Sequence, residues 1–428
     1  MIDSYPSDVS CNLKTVTSKN ILSILTAEQI RLASNQMSKA INKTPILETP
    51  WLSRKIEGNV FLKLENMQVS GSFKARGVYL KLSSLTEEEK KRGVIAISTG
   101  NHALGVAYHA QIMGIKTLII MPESTAFSQV ENIRQYGASV ILQGKNMVEA
   151  HDFARQLIKK HNYIMIHPFD DPYVIAGQGT VGIEMLEAVP SLDVLVVPIG
   201  GGSLAAGICI AAKSMNPDLY IIGVQAEFCP SVAEILFPNA VPSEPCPLSK
   251  SLAQGVNIQF PGELTLSVLA HHLDDCLVVP EHYIELAVES LVKHSKIVAE
   301  GSGALGVASL LYAPELFKQK KVGTLISGGN IASKDLTNVL TRTRKDQGRL
   351  IQYQIETKNC VKAMGQLSQI IGKAGGQIFE LSQQQNLSKL AQRMTYIKAV
   401  IEARNSQHAY EMCQALVTKG FPTQILEE

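Results

Sequence analysis

Three short stretches hold residue types that do chemistry. The first, Ser70-Gly71-Ser72-Phe73-Lys74, places a lysine between a strand-like run at residues 60–64 and a helix-like run at residues 75–82. The unsatisfied N–H groups of a helix's first turn carry partial positive charge, which pushes an amine held there toward its neutral, nucleophilic form. A neutral amine can form a Schiff base. The second stretch, Gly200-Gly201-Gly202-Ser203-Leu204, follows an apolar run at residues 194–198 and opens a helix. Backbone N–H groups in that setting cradle a phosphate. The third, Ser98-Thr99-Gly100-Asn101-His102, lies at another such turn, where backbone and side-chain donors can receive a carboxylate. Each has a plain alternative: a surface lysine, a tight turn without a ligand, a helix cap at Asn101. All three stand where a strand hands over to a helix, which favours the chemical readings.

The elements that position them follow from periodicity. Residues 94–97, 117–121 and 139–142 are short β-branched runs, separated by amphipathic helical patterns at residues 103–113 and 128–136. A second series runs through residues 194–198, 205–215 and 220–224. Such alternation predicts an α/β protein with two parallel-sheet lobes and the site between them. Residues 1–25 are polar and irregular, and Thr26-Ala27-Glu28-Gln29 reads as a capping box that starts the ordered chain. Pro238, Pro242, Pro245 and Pro247 mark a long irregular loop. The basic stretch at residues 342–348 reads as a solvated linker. Beyond it, from residue 349 to 428, strand and helix patterns follow the order βαββαβ, a ferredoxin-like α+β unit.

Composition narrows the classes. A chain of 428 residues with 45% hydrophobic content buries a large core and holds two or three domains. Forty basic against thirty-eight acidic residues leave a formal charge of +2, too balanced for a nucleic-acid or acidic-membrane partner. The seven cysteines form no CxxC pair, so no disulfide framework or thiolate zinc site is indicated. No apolar stretch approaches the roughly 20 residues of a membrane span. A reducing, cytoplasmic compartment is expected.

The run Ser70-Gly71-Ser72-Phe73-Lys74-Ala75-Arg76-Gly77 resembles the lysine motif of the fold-type II pyridoxal-phosphate enzymes, and further motifs recur in the family's order from about residue 25 to residue 341. The chain is most similar there to the serine/threonine dehydratases (threonine ammonia-lyases) and the serine racemases. The resemblance implies a tryptophan synthase β-like catalytic domain over residues 26–341, with a small lobe of approximately residues 70–165 inserted in the large one. It implies pyridoxal 5′-phosphate as cofactor, carried on Lys74, with Phe73 beside its ring and Asn101 bonded to its 3′ oxygen. Gly200, Gly201, Gly202, Ser203 and Leu204 would hold the phosphate, with Ser203 in place of the family's fourth glycine; its hydroxyl either adds a contact or its Cβ tightens the loop.

Ser327, in Leu325-Ile326-Ser327-Gly328-Gly329-Asn330, matches the residue facing the pyridine nitrogen. A hydroxyl cannot hold a proton there as a carboxylate would, so the ring is a weaker electron sink and loss of a β-substituent competes well with reprotonation. Ser98, Thr99, Gly100 and His102 match the substrate-carboxylate turn, and Thr99 stands where the racemases carry a proton-donating serine. Gly255 and Glu300 match positions lining the cleft. The racemases' divalent-cation site uses a glutamate and an aspartate where this chain has Gln225 and Ser231, so no metal is expected. Residues 349–428 resemble the ACT regulatory domains of many threonine dehydratases, which implies isoleucine or valine as effector. Within the turn at residues 360–367, Gly365 and Leu367 are kept, but the usual Asp-Arg-Pro is missing.

The reaction so implied is deamination of L-threonine to 2-oxobutanoate and ammonia, and of L-serine to pyruvate, by a homo-oligomer (dimer or tetramer). The alternatives are a serine racemase, a 3-hydroxyaspartate ammonia-lyase, or a non-catalytic amino-acid sensor.

Overall fold

The computed structural model describes residues 25–37, 39–241, 251–384 and 395–426. The expectations for the polar N-terminal stretch and for the loop at Pro242, Pro245 and Pro247 lie outside the described residues. The chain divides into two compact units, one ending at Ile331 and the other starting at Ala332.

The first unit opens with α1 (Ala27–Met37), whose capping box is present: Gln29 N–H donates to Thr26 Oγ1 at 3.3 Å and Thr26 N–H to Gln29 Oε1 at 2.9 Å. There follow β1 (Ile46–Glu48), β2 (Asn59–Leu64), α2 (Lys74–Ser83), β3 (Val94–Ile97), α3 (Asn101–Ile112), β4 (Thr117–Met121), β5 (Ser139–Leu142) and β6 (Ile164–Met165). After them come α4 (Pro172–Ala188), β7 (Val194–Pro198), α5 (Ser203–Met215), β8 (Tyr220–Ala226), α6 (Glu263–His272), β9 (Asp275–Val279), α7 (Gly301–Tyr312) and β10 (Lys321–Ile326). Four strands form a parallel sheet in the order β5-β4-β3-β6. Six form a second sheet in the order β1-β2-β10-β7-β8-β9, parallel except at β1, which runs antiparallel to β2. The two expected parallel lobes are therefore present, one with an antiparallel edge strand.

Strands β3 and β7 are buried along their whole length, as expected of parallel strands covered on both faces. The motifs leave the carboxyl ends of such strands: the lysine loop follows β2, Ser98 to Asn101 follow β3, the glycine turn follows β7, and Ser327 follows β10. Ligands of open α/β sheets bind at those ends. Helix α4 lies between α2 and α5 at close backbone approach. A Cβ on Gly177 would fall 2.6 Å from Gly77 Cα, and one on Gly207 would fall 2.3 Å from Ile175 O. The lysine loop and the glycine turn thus begin helices docked on one rigid partner.

The second unit contains α8 (Ser333–Asp346), β11 (Leu350–Thr357), α9 (Cys360–Lys373), β12 (Gln377–Gln384), β13 (Thr395–Glu402), α10 (Ser406–Thr418) and β14 (Thr423–Leu426). Its sheet has the order β12-β13-β11-β14 with antiparallel neighbours, the ferredoxin-like arrangement read from the sequence. The linker expectation is corrected, because residues 342–346 are the end of α8. Val339 and Thr343 are buried on that helix, and Arg344 pairs with Glu402, so the charges mark the solvent side of an amphipathic helix. The second unit accordingly begins at Ala332.

Candidate active site

Lys74 is the first residue of α2. Its Nζ donates to Pro168 O at 2.7 Å and lies 5.2 Å from the Phe73 ring centroid. The amine is lowered to about 8, and burial is the cause. Lys74 stands in the first turn of its helix as expected, burial shifts the amine, and the carbonyl partner solvates it without supplying the negative charge that would hold it protonated. The loop ahead of it is tightly specified. Ser70 has φ 59° and Gly71 φ 75°, and a Cβ on Gly71 would meet Asn330 Oδ1 at 2.4 Å. Ser72 bridges to Gly328, and Phe73 N–H donates to Ser327 O at 3.1 Å, which ties the lysine loop to the end of β10.

A second group of polar side chains converges on the same place. Asn101 Nδ2 donates to Glu300 Oε1 at 2.6 Å, while Asn101 Oδ1 accepts from Asn330 Nδ2 at 2.7 Å. Asn330 Nδ2 also reaches Ser70 O at 2.8 Å. Ser302 Oγ donates to Glu300 Oε1 at 2.8 Å, and Ser327 Oγ to Ser302 O at 3.3 Å. Burial raises the Glu300 carboxyl, against the opposing hydrogen bonds from Ser302 and Asn101. Gly255 fits here for lack of space, since its Cβ would lie 2.8 Å from Ser302 Oγ. Lys74, Asn101, Glu300 and Ser327 are thus brought together from four separate loops.

The glycine turn closes the site from another side. Gly202 has φ 95° and precedes Ser203, the buried first residue of α5. A Cβ on Gly201 would lie 2.3 Å from the Phe169 ring, and one on Gly200 2.8 Å from Val256 Cα. Thr265 Oγ1 donates to Gly201 O at 2.7 Å. Phe169 follows Pro168, the partner of Lys74, so the segment at residues 167–170 spans from the amine to the turn. His167 Nδ1 accepts from the N–H groups of Asp170 at 2.7 Å and Phe169 at 3.3 Å. Burial and the nearby Lys74 lower His167 to about 4, leaving the ring a neutral acceptor.

In the Ser98–His102 turn the residues separate into two groups. Ser98, Thr99, Gly100 and Asn101 are half-buried; Ser98 Oγ accepts Gly100 N–H at 3.3 Å, and a Cβ on Gly100 would meet open space. His102 does not join them. It is 3% exposed, its Nε2 lies 2.8 Å from Ile166 O, and burial lowers it to about 3. The side chain of His102 is thus turned inward, and the substrate contact expected at this residue is a proposal. Gln225 Oε1 accepts from Val232 N–H at 2.9 Å and Ala233 N–H at 2.8 Å, and Ser231 Oγ donates to Ile258 O at 2.7 Å, so both positions serve local structure.

Beneath the site lies a buried ionic quartet that the sequence did not reveal. Arg76 forks onto Glu65 with two bonds of 2.8 Å and reaches Glu184 at 2.7 and 3.0 Å. Lys63 Nζ lies 2.5 Å from Glu184 Oε2 and 2.7 Å from Thr44 O. Two cations face two carboxylates, joining β2, α2 and α4. Only the occurrence of Arg76 two residues after the lysine, in an otherwise apolar helix face, hinted at it.

Comparison with known proteins gives this arrangement a family. The signature described as pyridoxal-phosphate dependent enzyme matches residues 37–328. The chain belongs to the pyridoxal-phosphate dependent enzymes. It is 37% identical to the L-threonine ammonia-lyase of Thermotoga maritima over 94% of this chain and 100% of that one. Its fold resembles the processed form of threonine deaminase isoform 2 from Solanum lycopersicum, with a TM-score of 0.68 and 30% identity over 74% of this chain and 87% of that one. It also resembles serine racemase from Dictyostelium discoideum, with a TM-score of 0.67 and 32% identity over 72% and 99%.

The cofactor is pyridoxal 5′-phosphate, and the residues present fit it. Gly100 opens onto free space, the buried Ser70 and Ser72 hydroxyls have no partner among the described residues, and the first-turn N–H groups of α5 have no acceptor within the helix.

Proposed function

We propose that this pyridoxal-phosphate enzyme deaminates L-threonine to 2-oxobutanoate and ammonia, and L-serine to pyruvate and ammonia. One observation carries the reading: the Lys74 amine, lowered to about 8, faces a carbonyl, and that carbonyl belongs to the segment whose next side chain covers the glycine turn. Lys74 would hold the cofactor covalently, Gly200 to Leu204 its phosphate, Asn101 its 3′ oxygen and Ser327 its pyridine nitrogen, with Phe73 beside the ring. When bound, the cofactor supplies an electron-withdrawing ring that accepts the electron pair left at the substrate's Cα.

The chain's own residues do the rest. About one Lys74 amine in ten is neutral at pH 7 given its lowered value, so it can take the Cα proton once the substrate has entered. The turn of Ser98, Thr99 and Gly100, at the start of α3, receives the substrate carboxylate on N–H groups that the helix leaves unused. Glu300 and Asn330 hold the two ends of the Asn101 amide and so fix which way its N–H points. Ser327 offers a neutral hydroxyl in a buried setting, which favours departure of the β-hydroxyl over return of the proton.

Keto-acid release from L-threonine, L-serine and 3-hydroxyaspartate, with chiral chromatography of the remaining substrate, tests the reading. We expect 2-oxobutanoate from threonine as a main product. A cofactor-loaded protein that racemises serine without releasing keto acid from threonine or serine, or that releases keto acid only from 3-hydroxyaspartate, sinks it.

The ferredoxin-like fold of the second unit supports the further proposal that it is an ACT-like domain binding isoleucine or valine. Phe379, exposed on the edge strand β12, supports pairing between copies into a dimer or tetramer. Among the described residues no helix is long and apolar enough to cross a membrane. The five described cysteines are free, which supports a reducing, cytoplasmic location.

A further inference from the structure

Helix α6 begins without a cap of its own. Its N-cap residue is Gly262, which has no side chain to accept the first-turn N–H groups. The acceptor comes from far away in the sequence. Asp170 Oδ1 receives Leu264 N–H at 3.1 Å and Thr265 N–H at 3.3 Å. Gly262 makes room for it, since a Cβ there would lie 2.1 Å from that oxygen. The capped turn carries Thr265, whose Oγ1 donates to Gly201 O at 2.7 Å and whose Cβ lies 2.8 Å from where a Cβ on Gly202 would stand.

Asp170 is equally bound to the lysine side. Its own N–H donates to His167 Nδ1 at 2.7 Å, which closes the turn that presents Pro168 O to Lys74 Nζ at 2.7 Å. In the same turn the Phe169 ring meets the His167 ring edge-on at 4.7 Å and covers Gly201. The contacts form a closed ring of Asp170, the first turn of α6, Thr265, Gly201 and Phe169, and Lys74 is joined to that ring through its bond to Pro168 O. The ring fixes where the segment at residues 168–170 stands against Gly201, and the bond from Lys74 to Pro168 O carries that position to the amine.

We propose that Asp170 is a positioning residue that sets the separation between the Lys74 amine and the Gly200–Gly202 turn. The inference rests on the reading that Lys74 and that turn hold the two ends of the cofactor. Two anchors at a matched spacing bind a two-ended ligand far better than either anchor alone, and a mismatched spacing forfeits that gain.

The test compares pyridoxal 5′-phosphate with pyridoxal, which has the aldehyde but no phosphate. The full-length protein is stripped of cofactor, and each compound is titrated by the visible absorbance of its adduct. The ratio of the two dissociation constants measures what the phosphate adds. Asp170→Ala should lower that ratio by about tenfold, the scale of losing a helix cap, while pyridoxal itself binds as in the wild type. Asp170→Asn keeps an acceptor oxygen and should restore the ratio to within about twofold.

Equal weakening of both compounds in Asp170→Ala would overturn the proposal, because a general loss of structure does not single out the phosphate. If that variant is recovered only as aggregate, Thr265→Val decides in the same assay. A fall in the ratio supports the ring, and an unchanged ratio overturns it. Lys74→Ala tests the underlying reading separately: if it keeps the wild-type absorbance band, Lys74 is not the anchor, whatever Asp170 does.

Discussion

Lys63 and Lys74 stand on neighbouring elements, and both amines are removed from water, yet they are put to different uses. At Lys63 the amine is also lowered, because burial outweighs the Glu184 and Glu65 carboxylates that pull it up, and Nζ sits 2.5 Å from a carboxylate oxygen. At Lys74 burial acts alone, and the nearest partner is the Pro168 carbonyl at 2.7 Å. At Lys63 the carboxylates oppose the loss of the proton and tie the amine into an ion pair; at Lys74 the carbonyl supplies no negative charge to oppose it. The difference lies in what the fold brings opposite each amine, since the two side chains are chemically identical.

That contrast is broken most directly by removing each partner in turn. Lys74→Ala strands no counter-charge, so the fold should survive with stability within about 1 kcal/mol, while turnover falls by at least about a thousandfold with loss of nucleophile and base. Calorimetry and keto-acid assays check both halves; a variant that turns over threonine at near the normal rate removes Lys74 from the mechanism. Arg76→Met does the opposite. It leaves Glu65, fully buried, facing no guanidinium, and should cost about 3–5 kcal/mol in chemical denaturation. A loss below about 1 kcal/mol would mean that the quartet is not what fixes α2 on β2 and α4.

The pH dependence sharpens the same contrast. Covalent uptake of cofactor by the stripped protein requires neutral Lys74, and the amine is lowered to about 8, so the neutral fraction grows as pH rises. Uptake should increase roughly fiftyfold between pH 6 and pH 8 and level off above that, where an ordinary lysine would still be gaining to beyond pH 10. Stopped-flow absorbance follows the reaction. A rate still climbing in proportion to hydroxide at pH 9.5 would show that burial does not set this amine.

What was legible in the chain was what the backbone writes locally. The lysine loop, the glycine turn, Asn101 and Ser327 all follow strand ends, and a strand end followed by glycine or a capping residue is a signal within a few positions. The cause of the Lys74 shift was not legible, because its burial depends on distant segments, the one carrying Pro168 among them, arriving over the amine. The same holds for Asp170 on α6, for Glu300 and Asn330 on the Asn101 amide, and for Arg76 on Glu184: each is a side-chain pairing over a long separation that leaves no periodicity. The burial of His102 was not legible either, because a turn's sequence does not say which of two adjacent side chains the start of a helix turns inward. Residues 342–346 failed for a related reason, their charges hiding the buried Val339 and Thr343 on the other side of α8.

Thr99 offers the smallest effect. It stands half-buried in the turn after β3, beside Gly100, whose Cβ direction is open. Ser98 Oγ accepts Gly100 N–H at 3.3 Å, and we propose that the Thr99 hydroxyl acts on the substrate. Its methyl restricts the side chain to fewer rotamers than a serine would have, which makes it a poorer proton donor to the face opposite Lys74. Wild-type protein should therefore form a trace of D-serine from L-serine beside abundant pyruvate. Thr99→Ala should abolish the trace while keeping deamination within about twofold, because the carboxylate is held by backbone N–H groups that the substitution leaves in place. Thr99→Ser should raise the D-serine fraction instead, since it keeps the hydroxyl and frees its rotation. Chiral chromatography distinguishes the outcomes: D-serine that persists in Thr99→Ala would assign the second proton donor to another residue, and the Lys74 side of the site would then have to supply both.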